Sequence, residues 1–213
     1  MRLRLFSRRG VAVAVAALLL LPLTAWATPT DDVKTTIDRV IKIVTDPSLK
    51  PQAKTKERRA EIRKTVGERF NFAEMARRSL ATHWRDLSPA EQQNFVNVFT
   101  DLLEKSYVDK IENFSEEKIL YLGEQIEGDT ATVKSKVVTK KNIEIPIDYR
   151  LLQRDGKWEV YDVVIEGVSL INNYRVQFNK IIRSKSYPEL VRLMKVKLEG
   201  ENVTDLGAPQ PSR

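Results

Sequence analysis

The segment YDVVIEGVSLINNYR, residues 161–175, joins an almost wholly apolar strand to a helix through a turn at Gly167. Glycine suits such a turn because it reaches positive φ without steric cost. Ser169 is placed to cap the following helix, since a serine side chain accepts hydrogen bonds from the free N–H groups of a first helical turn. The segment therefore predicts a strand, a tight turn and a helix in immediate succession.

The residues before this segment predict the rest of a sheet. Turn signals at Gly128-Asp129 and Asp155-Gly156 separate runs that are rich in apolar and β-branched residues. Strands joined by short turns pair in an antiparallel meander. The runs predict three strands ahead of the last one: Ile119 to Leu122, Ala131 to Val137 and Ile143 to Leu151.

The fourth strand, Trp158 to Ile165, lacks the alternation of polar and apolar residues seen in a half-exposed strand. Successive strand side chains point to opposite faces of a sheet. This rule places Trp158, Val160 and Val164 on one face and Tyr161, Val163 and Ile165 on the other. Both faces of this strand should therefore be covered.

Helices are predicted both before and after the strands in the chain. Thr30 is predicted to cap a helix that ends before Pro47, and a charged surface helix is predicted from Pro51 to about Phe70. Cap signatures then mark four more starts, at Asn71, Ser88, Ser169 and Ser186. The strongest is Ser88-Pro-Ala-Glu91, which opens a long helix that continues to about Phe114.

This order of elements predicts an α+β fold with helices packed on a strongly curved four-stranded antiparallel sheet. One domain is expected over residues 28–200, with helices in 31–114, the sheet in 117–166 and helices in 169–198. Residues 201–213 have little to pack and are predicted to form a flexible tail. A curved sheet can be filled by its own helix or leave a hollow. The residues by themselves favour a filled core.

Residues 1–27 have the pattern of a cleaved signal peptide. Four arginines precede an uninterrupted apolar run from Val11 to Leu21, and Ala25-Trp26-Ala27 offers a small-x-small cleavage site. The mature chain is expected to begin near Thr28 and to be exported to the periplasm.

Composition excludes several functions. The formal net charge is +7, and removal of a leader with four arginines and no acid lowers it to +3, which is no signature of a nucleic-acid-binding protein. Cysteine is absent, which rules out disulfides and thiolate catalysis. His83 is the only histidine, so metal sites with two histidines are impossible. No glycine-rich phosphate loop occurs, and we predict no catalytic residue, metal or cofactor.

Several segments resemble the MlaC family of periplasmic phospholipid-binding proteins, also called toluene-tolerance auxiliary proteins. The most specific is GKWEVYDVVIEGVSLINNYR at 156–175, and the others are FNFAEMARRSL at 70–80, WR at 84–85, SPAEQ at 88–92 and IPIDYR at 145–150. Together they extend over residues 31–198 in the order of the family. Ala81 departs from the glycine expected in a Leu-Gly-x-x-Trp pattern, which leaves the local helix end in doubt.

The resemblance implies a carrier that moves glycerophospholipid across the periplasm. Its implied partners are phospholipid, an outer-membrane lipoprotein complex and the lipid-binding subunit of an inner-membrane ABC transporter. It also implies a monomer with a nuclear-transport-factor-like curved sheet around an apolar cavity, which reverses the preference for a filled core.

Candidate contacts with the acyl chains are apolar residues on the concave sheet face and on the facing helices. They are Phe72, Met75, Leu80, Trp84, Phe99, Leu103, Tyr107, Val137, Ile147, Tyr149, Tyr161, Val163, Ile165, Val168, Leu170, Tyr174 and Phe178. Each could instead be an ordinary core residue. Candidate head-group contacts are the fork-shaped donors Arg78, Arg85, Arg150 and Arg175. Arg85 and Arg175, which lie in the matched motifs, could equally pin helix to sheet through Asp86, Asp148, Asp162 or Glu166.

Two other functions remain open at this stage. An enzyme in this scaffold would need convergent acids, and the nearest candidates are Asp162 or Glu166 with Tyr161. A periplasmic adaptor or chaperone that binds protein through an apolar groove would have the same composition.

Overall fold

The computed structural model describes residues 27–115 and 117–200 together with residues 203, 206 and 207. The predicted signal peptide therefore lies outside the described residues, apart from Ala27. The described part contains six α-helices and five strands. The helices are α1 (Pro29–Thr45), α2 (Thr55–Gly67), α3 (Phe72–Leu80), α4 (Pro89–Glu112), α5 (Leu170–Ser184) and α6 (Tyr187–Glu199). The strands are β1 (Lys118–Glu127), β2 (Thr130–Val138), β3 (Glu144–Arg154), β4 (Lys157–Ile165) and β5 (Val168–Ser169).

The strands form one antiparallel sheet in the order β1-β2-β3-β4-β5. This confirms the α+β class and the meander, with one strand more than the sequence predicts. The additional strand, β5, has only two residues, and its Ser169 is also the N-cap of α5. A strand this short gives no periodic signal in the sequence.

Two tight turns of the sheet have the backbone that their residues predict. Asp155 and Gly156 between β3 and β4 both have positive φ, at 48° and 75°, and Glu166 and Gly167 after β4 have φ of 49° and 80°. Positive φ at both central residues is the mark of a type I′ turn, whose twist matches that of the flanking strands. The predicted turn at Gly167 is therefore confirmed.

The face assignment predicted for β4 is wrong because the strand contains a β-bulge. Val160 pairs with Leu151 and Val163 pairs with Tyr149, and the register shifts between these pairs so that Tyr161 is the additional residue. Leu151 and Tyr149 lie two residues apart on β3 and share a face, so Val160 and Val163 share that face too. Trp158 and Val160 thus belong with Val163 and Ile165, not opposite them.

Side-chain caps begin most of the helices where the sequence predicts them. Asn71, Ser88, Ser169 and Ser186 each accept a hydrogen bond from the backbone N–H three residues later. The first helix differs, because Thr28 rather than Thr30 is its cap. Proline at the first helical position fits this start, since its missing N–H has no partner to lose there.

The charged second helix is shorter than predicted. α2 ends at Gly67, and Phe70 instead forms an isolated bridge to Val160. The N–H of Val160 donates to the Arg69 carbonyl oxygen at 2.9 Å, and the N–H of Asn71 donates to the Val160 carbonyl oxygen at the same distance. Pairing with the sheet edge therefore replaces the last turn of the predicted helix.

Buried apolar side chains form two clusters. The helical cluster consists of residues from α3, α4, α5 and α6, with Phe95, Phe99 and Phe178 fully covered at its centre. The sheet cluster joins Val33 of α1 to Val133, Leu151, Trp158 and Val160. Two partly buried residues, Phe70 and Val163, contact both clusters.

Two described residues of the segment predicted to be a flexible tail pack against the helices. Leu206 is 1% exposed and belongs to the helical cluster. The Gly207 carbonyl oxygen accepts hydrogen bonds from the side-chain amides of Asn173 and Gln177, at 3.1 and 2.8 Å. These contacts hold residues after α6 against α5. Within the described residues, no helix has the length and apolar character needed to cross a membrane.

Candidate functional site

One face of the sheet carries most of its apolar side chains. Cross-strand pairing sets the members of this face, which we call the apolar face: Ile119, Tyr121 and Ile126 of β1, Ala131, Val133, Ser135 and Val137 of β2, Ile145, Ile147, Tyr149 and Leu151 of β3, Trp158, Val160, Val163 and Ile165 of β4, and Val168 of β5. Ser135 is buried, and its hydroxyl donates to the Ile147 carbonyl oxygen at 2.7 Å. The Ser135 hydroxyl therefore has its hydrogen bond within the sheet and does not interrupt the apolar face.

Helix α1 covers one end of the apolar face. Its Val33 is 2% exposed and packs in the sheet cluster beside Leu151 and Trp158. Polar contacts hold it there, because the N–H of Thr30 donates to the Glu124 carboxylate at 2.7 Å. This end of the face is part of an ordinary closed core.

The other end is less completely covered, and we call it the open end. It lies beside the β2–β3 hairpin and the turn after β4. Val168 in β5 is 45% exposed. The remaining members are apolar and only half-buried: Ile119, Val137, Ile145, Ile147 and Ile165. Half-buried branched side chains in one continuous patch are the surface that an apolar guest would cover.

The seventeen residues predicted to contact the acyl chains fall into three groups by exposure. Eight are fully buried against protein: Met75, Leu80, Phe99, Leu103, Tyr149, Leu170, Tyr174 and Phe178. Eight are half-buried: Phe72, Trp84, Tyr107, Val137, Tyr161, Ile147, Val163 and Ile165. Val168 is exposed. The structure brings Val137, Ile147, Ile165 and Val168 together at the open end.

Tyr161 does not share the surroundings of the other β4 candidates. As the additional residue of the bulge, it stacks with Arg78 of α3, whose guanidinium carbon is 3.9 Å from the ring centroid. A cation held over an aromatic ring is a stabilising contact. The tyrosine therefore helps to join α3 to β4.

The arginine candidates do not converge on one place. Arg78 donates to the Glu74 carboxylate at 2.7 Å, and the same carboxylate accepts from Arg77 and Arg154. The hydrogen bond from Arg77, and after it that from Arg78, lowers the pKa of Glu74 to about 2 against the opposing effect of burial. Arg78 is therefore engaged with a carboxylate of its own helix.

Arg150 is likewise paired within the fold. It donates to Asp162 at 3.2 Å, and this buried carboxylate also accepts from the Ser169 hydroxyl at 2.6 Å and the Ile171 N–H at 3.0 Å. Asp162 therefore links β3, β4 and the start of α5. Three donors leave this acid poorly placed for catalysis, which argues against the enzyme alternative built on it.

The other two arginines lie on the surface of the helical layer. Arg85 is exposed. Arg175 bonds to Asn172 and borders a surface depression of about 300 Å³, whose other walls are formed by Leu80, Ala81, Thr82, His83, Val176 and Asn179. His83 contacts the Asn179 side-chain oxygen at 3.0 Å. No cluster of histidine, aspartate and glutamate suited to a metal ion occurs in the described part of the chain.

Sequence reasoning missed several residues of the open end. Ile119 and Ile145 complete its apolar wall. Their strand positions were predicted, so cross-strand register would have found them. The buried hydroxyl of Tyr121, which has no hydrogen-bond partner, gives no such signal in the sequence.

Known proteins resemble this chain in sequence and in fold. The profile of the MlaC protein family matches residues 34–196. The intermembrane phospholipid transport system binding protein MlaC of Haemophilus influenzae is 26% identical over 120 residues, which are 54% of this chain and 56% of the relative. The chain thus aligns with about half the length of this curated relative.

A solved structure has the same fold. It is that of the phospholipid-binding protein from Ralstonia solanacearum in complex with a phospholipid, and it superposes with a TM-score of 0.73. The match covers 81% of this chain and 98% of that chain at 24% sequence identity. The family profile matches well over half of the chain, so this protein belongs to the MlaC family.

Proposed function

We propose that this protein is a non-enzymatic periplasmic carrier that binds glycerophospholipid by its acyl chains and passes it between membranes. The observation that carries the proposal is the open end of the apolar face, where half-buried aliphatic side chains from four strands form a continuous wall. The relatives support it, since one is named for intermembrane phospholipid transport and the other was solved with a phospholipid.

The physical need for such a wall is large. Two acyl chains contain roughly 30 methylenes, and at about 0.8 kcal/mol each their full exposure to water costs on the order of 24 kcal/mol. Aliphatic side chains replace membrane hydrocarbon with surroundings of similar polarity. The transfer between membrane and protein then becomes nearly balanced, and no catalytic residue is required.

In this proposal the acyl chains lie between the open end and the helices that face it, with the sheet curved around them. The half-buried candidates Val137, Ile147, Val163 and Ile165 form the sheet wall, and Tyr107 lies on the helical side. The fully buried aromatic residues of the helical cluster already pack against one another. These aromatic residues support the wall, and they contact the acyl chains only if the helices move apart.

The partners follow from the family. A carrier needs a donor and an acceptor, and we propose an outer-membrane lipoprotein complex at one end and the lipid-binding subunit of an inner-membrane ABC transporter at the other. Export by the leader at 1–27 would place the monomeric carrier between them. The head group stays outside the wall, since Arg78 and Arg150 are engaged with Glu74 and Asp162.

The test is native mass spectrometry of the protein purified without detergent from a Gram-negative periplasm, followed by lipid extraction and chromatography. Bound phospholipid in close to stoichiometric amount is the expected result. A peptide in the site would support the adaptor alternative. Protein that carries no lipid and takes none from phosphatidylethanolamine and phosphatidylglycerol vesicles would refute the carrier.

A further inference from the structure

Helix α5 lies in a long segment of the chain that contains no acidic residue. Residues 167–188 include Arg175, Lys180, Arg183 and Lys185 but no aspartate or glutamate, although these two residue types number 29 in the whole sequence. An ordinary solvated helix face carries charges of both signs. The outer surface of α5 is therefore cationic without the acids that would usually balance it.

The exposed residues of α5 form one stripe. They recur at spacings of three and four, which places them on a single side of the helix. They are Asn172, Arg175, Val176, Asn179, Lys180 and Arg183. From Arg175 to Arg183 the stripe is about 12 Å long. Val176 is 61% exposed, so an apolar side chain lies among the cations.

Two arginines of the stripe have no carboxylate partner among the described residues. Arg175 bonds to the side-chain oxygen of Asn172, and Arg183 is exposed without an ion pair. Elsewhere in the fold, Arg58 and Arg69 form ion pairs with carboxylates of other elements. Positive charge that the fold leaves unbalanced creates a potential that attracts an anionic partner.

A second segment without acids lies against the stripe. Residues 75–85 include three arginines and His83, which contacts the Asn179 side-chain oxygen at 3.0 Å. This segment and α5 together line the surface depression of about 300 Å³. Glu74, which precedes the segment, is buried and engaged with arginines, whereas Asp86 after it is exposed. We call the α5 stripe together with His83 the cationic face.

The chemistry of the cationic face fits the surface of an anionic phospholipid bilayer. Lipid phosphates supply the negative charge that Arg175 and Arg183 lack, and the head-group region also accepts an apolar side chain such as Val176. The depression combines apolar walls from Leu80 and Val176 with the hydroxyl of Thr82 and the guanidinium of Arg175. An acidic protein surface would match the charges alone.

We infer that the cationic face is a membrane-docking surface through which the protein makes reversible contact with anionic phospholipid bilayers. The inference goes beyond the proposed function, because this face lies outside the wall that receives the acyl chains. Each arginine near an anionic bilayer strengthens binding by only about fivefold, so a few of them give a contact that is readily released.

The position of α5 connects this contact to the open end. The helix begins at Leu170, directly after β5, and Arg175 lies about 8 Å further along its axis. Val168 of β5 pairs with Ile165 of the open end. Docking through the start of the stripe therefore holds this part of the open end close to the bilayer.

The experiment measures cosedimentation of the protein, purified with its bound lipid, with vesicles. Vesicles of equal parts phosphatidylglycerol and phosphatidylcholine are compared with vesicles of phosphatidylcholine alone. The wild type should prefer the anionic vesicles by at least about 25-fold, and Arg175→Gln and Arg183→Gln should each lower this preference about 5-fold, equivalent to about 1 kcal/mol per charge. The preference should also fall as salt rises from about 0.1 M to about 1 M, which shortens the Debye length from about 10 Å to about 3 Å.

A charge-matched control tests whether location or total charge decides the binding. Lys118→Gln combined with Lys134→Gln removes the same charge as the double arginine variant, but from exposed positions on β1 and β2, at the edge of the sheet remote from β5. This control should bind anionic vesicles much as the wild type does. All substituted positions are exposed, so Tm should be unchanged in every variant.

The outcomes separate this inference from the proposed function. Equal binding of the wild type to both kinds of vesicle would overturn the docking surface and favour an acidic protein as the partner of this face. An equal loss in the arginine and lysine double variants would also overturn it, since net charge alone would then explain the binding. Wild-type protein that binds anionic vesicles but carries no lipid would support the docking surface and refute the carrier.

Discussion

The helical cluster and the open end of the sheet consist of similar apolar residue types but differ in how completely those residues are covered. Phe95, Phe99 and Phe178 are 0% exposed, with ring centroids 5.6–5.8 Å apart. Ile147 and Ile165 of the open end are only half-buried, and Val168 is 45% exposed. Apolar composition therefore does not distinguish a filled core from a binding wall, and coverage by neighbouring elements does.

The helical cluster should respond most strongly to the loss of a side chain. Phe99→Ala leaves a cavity among rings that cannot close it, and we expect the free energy of unfolding to fall by about 3–5 kcal/mol. Chemical denaturation of the delipidated protein measures this. Val176→Ala on the outer face of α5, where the side chain is 61% exposed, should change it by less than about 0.5 kcal/mol. A small effect of Phe99→Ala would mean that the cluster is loosely packed.

The ionic contacts of Glu74 in α3 predict that the free energy of unfolding depends on pH. The pKa of Glu74 is lowered from 4.5 to about 2 by its arginine partners, so its contribution is complete above pH 4.5 and is lost as the pH falls towards 2. Glu74→Gln should remove on the order of 2 kcal/mol at neutral pH and nothing near pH 2. Denaturant titrations across this range measure the difference.

The control for this prediction is Glu189→Gln. The Glu189 carboxylate bonds to a single arginine, Arg192, and is far less buried than the carboxylate of Glu74. It should change stability little at any pH. If Glu74→Gln and wild type lost stability in parallel on acidification, Glu74 would not be the group responsible.

A charge introduced at the open end should lower phospholipid binding more than it lowers the free energy of unfolding. Ile165→Lys places an ammonium group on the apolar wall, where desolvation is unfavourable, and we expect bound phospholipid per protein to fall about tenfold, equivalent to about 1.4 kcal/mol. Lipid extraction from the purified variant measures this, and circular dichroism should show unchanged helix content. Leu122→Lys, at a β1 position that is 60% exposed, should retain normal lipid. Normal lipid in Ile165→Lys would exclude this face as the wall.

The smallest expected effect lies at the boundary of the helical layer. Ala81 ends α3 with φ 50° and ψ −119°, a conformation that glycine adopts freely and alanine does not. Ala81→Gly should therefore raise the free energy of unfolding by about 1 kcal/mol. Thermal unfolding checks this. A destabilised variant would show that the backbone relaxes around alanine at little cost.

The local structure could largely be predicted from the sequence. The caps at Asn71, Ser88, Ser169 and Ser186 and the turn at Gly167 depend on residues within a few positions of each other, and all are confirmed. The predicted cap of α1 is two residues too late, because Thr28, unlike Thr30, has an acidic residue three positions later, and Asp31 completes the capping box.

The candidate site was harder to predict. The predicted contacts include half-buried Val137, Ile147 and Ile165 as well as fully buried residues such as Phe99 and Phe178, because both groups occupy apolar positions of periodic elements. Exposure separates them, and exposure depends on which helix lies over which part of the sheet. Chemistry alone suggests the four arginines, whereas the contacts of Arg78 with Tyr161 and of Arg150 with Asp162 depend on how α3 and β3 meet β4.

The sequence by itself determined the family, the α+β class, the strand order of the meander and most helix starts, because each follows from neighbours along the chain or from a long matched motif. Tertiary structure alone decided three other features. These are the bulge at Tyr161, the partial cover of the open end and the burial of Leu206. Each depends on contacts between residues far apart in sequence, whose geometry is set when the strands pair and the helices pack.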